Sequence, residues 1–184
     1  GREPRCAGCD PLAHGAAARP ALPDDIYLVA SLTKPLTALA VCLLVERGQV
    51  LLDDYVGTYL PAFAGGERAG VCLRHLLTHT SGLPDMLPDN TALRSRHAPL
   101  SEFIAGACTT PLLFKPGTDC RYQSMGTLLA AAVVEQLSGM TLPRFLQGEV
   151  FAPLGMQDTC LGLGDLDDRR VVNVVLSEDD AATS

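Results

Sequence analysis

The sequence predicts a predominantly helical body in which scarcely one segment reads as a convincing β-strand. Two observations carry that expectation. An apolar run over 36–45 sits inside a helical pattern at 33–47, and a second strong helical pattern covers 126–138. Each is long enough for three or four helical turns. Gly48 and Gly139 follow them directly, and glycine stops helices there because it takes left-handed backbone without steric cost.

Taken in order, residues 1–24 hold four prolines and three glycines with little periodicity, so 1–25 read as an irregular lead. Residues 26–30 are a short extended or turn segment entering the first helix. That helix is apolar on most faces, so it is expected to be central and buried, with Cys42 as a small core residue. Pro35 lies in its first turn, where the missing N–H would have had no partner anyway. Residues 51–61 read as turn and loop, 71–77 as a short helix and 78–88 as turn-rich. A helix over 100–108 has Ser101 as its expected cap. A Pro-Gly turn follows at 113–121. After the helix at 126–138 comes another over 141–150, capped by Thr141. From Asp165 onward there are six carboxylates and two arginines, which reads as a solvated tail. The expected organisation is a lead over 1–25, one body over 26–164 and an acidic segment over 165–184.

At 184 residues with 47% hydrophobic and 19% charged side chains, the chain is one domain or a large piece of one and can bury a sizeable core. The net charge of −7 and the lack of a basic patch argue against a nucleic-acid partner. No run reaches the roughly 18–20 apolar residues that a membrane span needs, and no signal peptide is expected in this stretch. The seven cysteines are scattered and odd in number, so no complete disulfide framework is visible. Cys6 and Cys9 with His14 have the beginning of a zinc-ligand spacing, but residue 19, where a fourth ligand would match, is Arg. A disordered terminus is the expectation there, with no metal and no cofactor.

Chemistry concentrates at Ser31-Leu32-Thr33-Lys34. The spacing puts a hydroxyl and an amine one turn apart on one helix face. A serine hydroxyl is a weak nucleophile and needs a base beside it; a lysine serves if its surroundings leave it neutral part of the time. Fourteen residues are Lys or Arg, yet only Lys34 and Lys115 are lysines. Arginine cannot give up its proton and lysine can, so Lys34 looks chosen for its chemistry. Tyr122-Gln123-Ser124 sits between the Pro-Gly turn and the 126–138 helix, where a phenol could project into a cleft and shuttle a proton; in isolation it also fits an amphipathic tyrosine at a core edge. His75, His79 and His97 could be bases, with structural roles preferred. Asp53 and Asp54 could pair with a histidine, or be solvated as adjacent acids after a helix usually are.

Ser31-Leu32-Thr33-Lys34-Pro35, then Leu76-Leu77-Thr78-His79-Thr80-Ser81-Gly82-Leu83-Pro84, then Lys115-Pro116-Gly117-Thr118 leading into Tyr122-Gln123-Ser124, resemble the serine beta-lactamase-related family. That family includes class C beta-lactamases, D-alanyl-D-alanine carboxypeptidases and family VIII esterases. The match runs from about residue 26 to 163, and Phe151-Ala152-Pro153-Leu154-Gly155-Met156 fits the turn after its last matching helix.

The resemblance implies an α/β, beta-lactamase/transpeptidase-like fold, present here mainly as its helical region with most sheet strands missing. It makes Ser31 the acylated nucleophile, Lys34 its base and Tyr122 the second-motif proton shuttle. The Ser31 N–H becomes half of the oxyanion hole, and 78–84 a scaffold shaping the cleft. Two departures stand out. The family's second motif is usually Tyr-x-Asn, and Ser124 stands in its third position; its hydroxyl is expected to bind substrate or Lys34. The third motif, Lys or His, then Thr or Ser, then Gly, does not occur after Tyr122. The implied activity is that of a serine hydrolase acting on a small-molecule ester, beta-lactam or D-Ala peptide; the alternative is a catalytically inactive remnant or binding protein.

Overall fold

The computed structural model describes residues 22–162, 164 and 166–172, so Cys6, Cys9 and His14 lie outside the described residues. Among the described residues seven α-helices carry the fold: α1 Thr33–Glu46, α2 Val56–Tyr59, α3 Leu73–Leu77, α4 Asn90–Ser95, α5 Leu100–Thr109, α6 Ser124–Ser138 and α7 Leu142–Leu146, the last running into a π-helical turn at Gln147–Phe151. Backbone pairing outside helices and turns is confined, among the described residues, to isolated bridges, Ile26 with Val171 and Tyr55 with Cys72. The helical expectation and the scarcity of strands both hold.

The chain divides into two compact units. In the one drawn from Gly1–Ala30 and Leu163–Ser184, Ile26 N–H donates to the Arg170 carbonyl at 2.8 Å and Val172 N–H to the Ile26 carbonyl at 2.9 Å. The other, Ser31–Gly162, holds the helices. At its centre is α6, which packs against α1, α2, α3, α5 and α7. Leu129, Ala130, Val133 and Val134 of α6 meet Ala40, Val41 and Leu44 of α1, Leu76 of α3 and Phe145 of α7 in one core.

The α1 stop follows the sequence. Gly48 takes φ +68, its N–H reaches the Val45 carbonyl, and Gln49 N–H reaches that of Leu44, which is the paired-bond stop glycine permits. Burial of α1 differs from expectation. Thr37, Ala40, Val41 and Leu44 are buried, whereas Leu32, Leu39 and Cys42 are exposed, Leu32 at 71% and Leu39 at 40%. Cys42 is thus no core residue: it lies on the outward stripe that also carries Leu32, Pro35 and Leu39.

Capping departs from the sequence reading at two helices. Pro99, extended at ψ 152, precedes α5, which places Ser101 inside the first turn instead of at the cap. Thr141 does stand at the start of α7 but makes no side-chain cap bond; the Glu135 carboxylate accepts the Leu142 N–H at 2.7 Å instead. Two elements escape the sequence reading altogether: α2 within the 51–61 loop, and α4 after the turn-rich stretch. Asp53 pairs with Arg74, with His75 a lesser charge nearby, and Asp54 accepts bonds from Tyr59 OH and Leu51 N–H. Among the described residues no single helix is long and apolar enough to cross a membrane; α6 with Leu142–Phe151 reaches that length only as a pair bent by 73°.

The three described histidines lie at or just past helix ends. His75 Nδ1 accepts the Cys72 N–H at the start of α3. His79 and His97 take left-handed backbone, φ 61 and 52, just past α3 and α4. Non-glycine residues there carry a cost of about 1–2 kcal/mol, which packing must offset.

Gly82 locks the turn-rich stretch against residues 112–114. It sits at φ +84, its carbonyl accepts the Leu113 N–H at 2.7 Å, and a Cβ there would lie 2.2 Å from the Phe114 carbonyl oxygen. Gly82→Ala is expected to destabilise the protein by about 2–5 kcal/mol, combining left-handed strain with overpacking. Gly139→Ala, at φ +67 with open space around the site, carries the strain alone and is expected to cost about 1–2 kcal/mol. Urea unfolding of the two variants side by side checks the difference.

Candidate active site

The residue before Ser31 is already unusual. Ala30 sits at φ 44, left-handed for a residue with a Cβ, and the 3-10 turn Ala30–Leu32 then runs straight into α1. Lys34 is in the first turn of α1, beside Pro35, and is half-buried. The three-residue spacing does what the sequence implies: Lys34 Nζ donates to Ser31 Oγ at 3.0 Å.

Tyr122 arrives from far along the chain. Its hydroxyl donates to the same Ser31 oxygen at 2.7 Å, across 91 residues of sequence. Lys34 Nζ stands 4.7 Å from the centre of the Tyr122 ring. The amine and the phenol therefore converge on one serine oxygen. Ser124 does not join them: it is the first residue of α6, half-buried, and its N–H is held by the Asp85 carboxylate at 2.7 Å. The Pro-Gly turn and the helix do flank Tyr122 as the sequence suggests, with α6 beginning two residues earlier than its apolar pattern.

Electrostatics reinforce the geometry. The hydrogen bond to Lys34, then that to Ser31, holds the Tyr122 phenol below its ordinary value, while desolvation and the Asp85 carboxylate push the other way. Tyr59 shows the opposite case: burial first, then its bond to Asp54, pushes it up to about 12. A positive neighbour favours phenolate and a negative neighbour disfavours it.

Beside the triad a cleft of about 270 Å³ is lined by Lys34, Pro35, Ala38, Leu77, His79 and Thr127, near the lower end of small-molecule pockets. Sequence reasoning placed His79 in the 78–84 scaffold and Asp85 in the turn-rich stretch, neither with a task at this site. The His79 ring lies 4.9 Å from that of Tyr122 at 39°, and Asp85 bonds to Ser124 across 39 residues. No local spacing connects either to Tyr122. Among the described residues no group of three or more His, Cys, Asp or Glu is placed to hold a metal ion.

The beta-lactamase family model matches residues 7–183, nearly the whole chain. The chain belongs to the beta-lactamase family. Over 162 residues it is 38% identical to esterase EstB of Burkholderia gladioli, covering 80% of this chain and 41% of that protein. Over 145 residues it is 36% identical to penicillin-binding protein 4* of Bacillus subtilis (strain 168), covering 77% of this chain and 32% of that one. Among solved structures, a penicillin-binding protein from Bacillus halodurans superposes with a TM-score of 0.71 at 29% identity, over 83% of this chain and 49% of its own. The beta-lactamase/transpeptidase-like fold is thus confirmed, and this beta-lactamase-family chain spans less than half the length of each of these relatives.

The two tyrosines give a direct check on the site. In an absorbance titration at 295 nm, Tyr122 is expected to ionise ahead of an ordinary tyrosine, near pH 10, and Tyr59 last, at about 12. A lowered phenol value stabilises the folded state above the unfolded value, and that contribution is lost as pH falls through the folded one. The raised Tyr59 value acts the other way: its contribution holds below the unfolded value and is lost as pH rises through about 12. Lys34→Met should move the early transition upward, and Tyr122→Phe should abolish it.

Proposed function

We propose that this chain carries the acylating machinery of a serine hydrolase, with Ser31 as nucleophile, Lys34 as base and Tyr122 as proton carrier. The observation that carries the reading is the convergence of Lys34 Nζ at 3.0 Å and Tyr122 OH at 2.7 Å on Ser31 Oγ. Both are within the reach that proton transfer needs. The names of the relatives, an esterase and a penicillin-binding protein, support acyl transfer from an ester, a beta-lactam or a D-Ala peptide.

In this mechanism the Ser31 oxygen attacks the substrate carbonyl carbon while its proton passes to the neutral amine of Lys34. The carbonyl oxygen gains negative charge and is met by the Ser31 N–H, which lies at the start of a helical turn where such groups lack intrahelical partners. Tyr122 delivers a proton to the leaving oxygen or nitrogen as its bond to carbon breaks, and takes one back from Lys34. Water then attacks the acyl-serine, Ser31 regains its proton, and the carboxylic acid departs. The Ser124 hydroxyl, at the mouth of α6, is proposed to hydrogen-bond the bound substrate.

A second reading, a non-catalytic remnant or binding protein, is favoured by one feature of the sequence. The Lys/His-Thr/Ser-Gly triplet is absent after Tyr122, and loss of one oxyanion donor costs roughly 3 kcal/mol, or a hundredfold or more in rate.

Adduct mapping separates the two. Incubation with a fluorophosphonate, a nitrophenyl ester and a penicillin, followed by peptide mass spectrometry, is expected to place the acyl or phosphonyl group on Ser31. Ser31→Ala should take up none, and Lys34→Ala should slow labelling by roughly 10²–10⁴-fold. An unmodified Ser31 in the folded wild-type protein would sink the hydrolase reading for this chain and leave the binding one.

A further inference from the structure

Tyr122 is half-exposed, at 49%, so the core alone does not fix its ring. The flanking backbone amides are both met by one residue, while the Gln123 side chain is bonded to Ser81 and to the His75 carbonyl. Arg121 N–H donates to the His79 carbonyl at 2.9 Å, and Gln123 N–H donates to His79 Nδ1 at 3.3 Å. The imidazole also lies against the phenol ring itself, 4.9 Å between centres. His79 thus grips Tyr122 on both flanking amides and on the aromatic face.

The left-handed backbone of His79, φ 61, accompanies this grip. It lets one residue present its carbonyl and its side chain to the same passing segment. Ending α3 does not require an imidazole; glycine or asparagine does that at lower cost. The ring also lines the cleft beside the Lys34 amine.

We propose that His79 is a positioning residue, which holds the Tyr122 hydroxyl on Ser31 Oγ through the two flanking amides and the ring face. The proposal rests on the catalytic reading of Ser31 and Tyr122 for its kinetic consequence, while its structural part stands apart from any activity. The groups that bear on the phenol are Lys34, Ser31, Asp85 and His79 itself.

Two variants test it in the full chain. His79→Gly keeps the left-handed turn and removes both acceptor and ring. His79→Asn keeps the turn and offers an amide oxygen to Gln123 N–H, but no ring. Each is compared with wild type by thermal unfolding, by the rate of Ser31 labelling with a fluorophosphonate, and by the 295 nm titration of Tyr122 taken as a difference from Tyr122→Phe. Expected for His79→Gly is cooperative unfolding, labelling slowed roughly 10- to 100-fold as displacement of a reacting group implies, and a Tyr122 transition moved up toward that of an ordinary tyrosine. His79→Asn should recover part of both losses. A folded His79→Gly with wild-type titration and labelling overturns the proposal. If wild type does not label at all, the hydrolase reading falls, and the Tyr122 titration alone decides for or against His79. Should His79→Gly fail to fold, the titration of His79→Asn decides: an upward shift supports the role of the ring, and a wild-type curve overturns it.

Discussion

The site depends on one buried hydrogen bond. Ser81 Oγ donates to Gln123 Oε1 at 2.6 Å, with both residues fully buried. Ser81 Oγ also accepts the Leu83 N–H, and Gln123 Nε2 donates to the His75 carbonyl at 3.4 Å. Every polar atom in this knot has a partner, and removing one would strand another at a cost of about 1–3 kcal/mol. The knot ties the 78–85 turns to the residue just before α6. Gly126 lets it close: a Cβ there would come within 2.9 Å of Gln123 Nε2 and 3.1 Å of the Leu76 carbonyl oxygen. Because Gln123 points into this knot, its neighbour Tyr122 is turned outward, toward α1 and Ser31. A core contact thereby sets the orientation of a reactive side chain on the opposite face of the same short segment.

The same logic explains what could be read from the sequence and what could not. Helices α1 and α6 were legible because their apolar runs and glycine stops are local signals. The Ser31–Lys34 pair was legible because three residues of helix fix its spacing. Tyr122 was legible only through the resemblance, since 91 residues separate it from Ser31. The Asp85 bond to Ser124 and the His79 grip on Tyr122 were invisible, because each is a tertiary contact with no periodicity behind it. The missed helices α2 and α4 are short and lie among turn residues, where packing overrides propensity. Thr141 failed as a side-chain cap because Glu135, seven residues upstream, reached the Leu142 N–H first.

The reading of α1 as buried on most faces was wrong for a different physical reason. Composition reports how apolar a helix is, not how many neighbours the fold supplies. Against α6 and α7 the helix buries only the stripe through Thr37, Ala40, Val41 and Leu44. Leu32, Pro35, Leu39 and Cys42 recur three and four residues apart on the other side, the spacing of a second apolar stripe. The sequence is therefore written for burial on two sides, and the structure covers one. That asymmetry accords with a chain spanning 41% of the length of esterase EstB. It also locates Ser31 and Lys34 at the edge between a packed stripe and an open one.

Charge placement completes the argument for Lys34. Three arginines of the helical unit meet carboxylates: Arg47 with Glu149, Arg74 with Asp53, Arg96 with Glu102. All are surface pairs, which contribute little to stability. Lys34 instead faces a hydroxyl and a phenol. A carboxylate beside the amine would stabilise its charged form and oppose any role as a base. The neutral phenol brings no full charge to the amine, and the bond to Lys34 is the first cause that holds Tyr122 below its ordinary value. Tyr59, bonded to the Asp54 carboxylate and pushed up to about 12, shows how the same side chain is silenced as a proton carrier by the opposite partner. The distinction between the two tyrosines is one of neighbours, not of residue type: an amine and a hydroxyl lower one, while burial and a carboxylate raise the other.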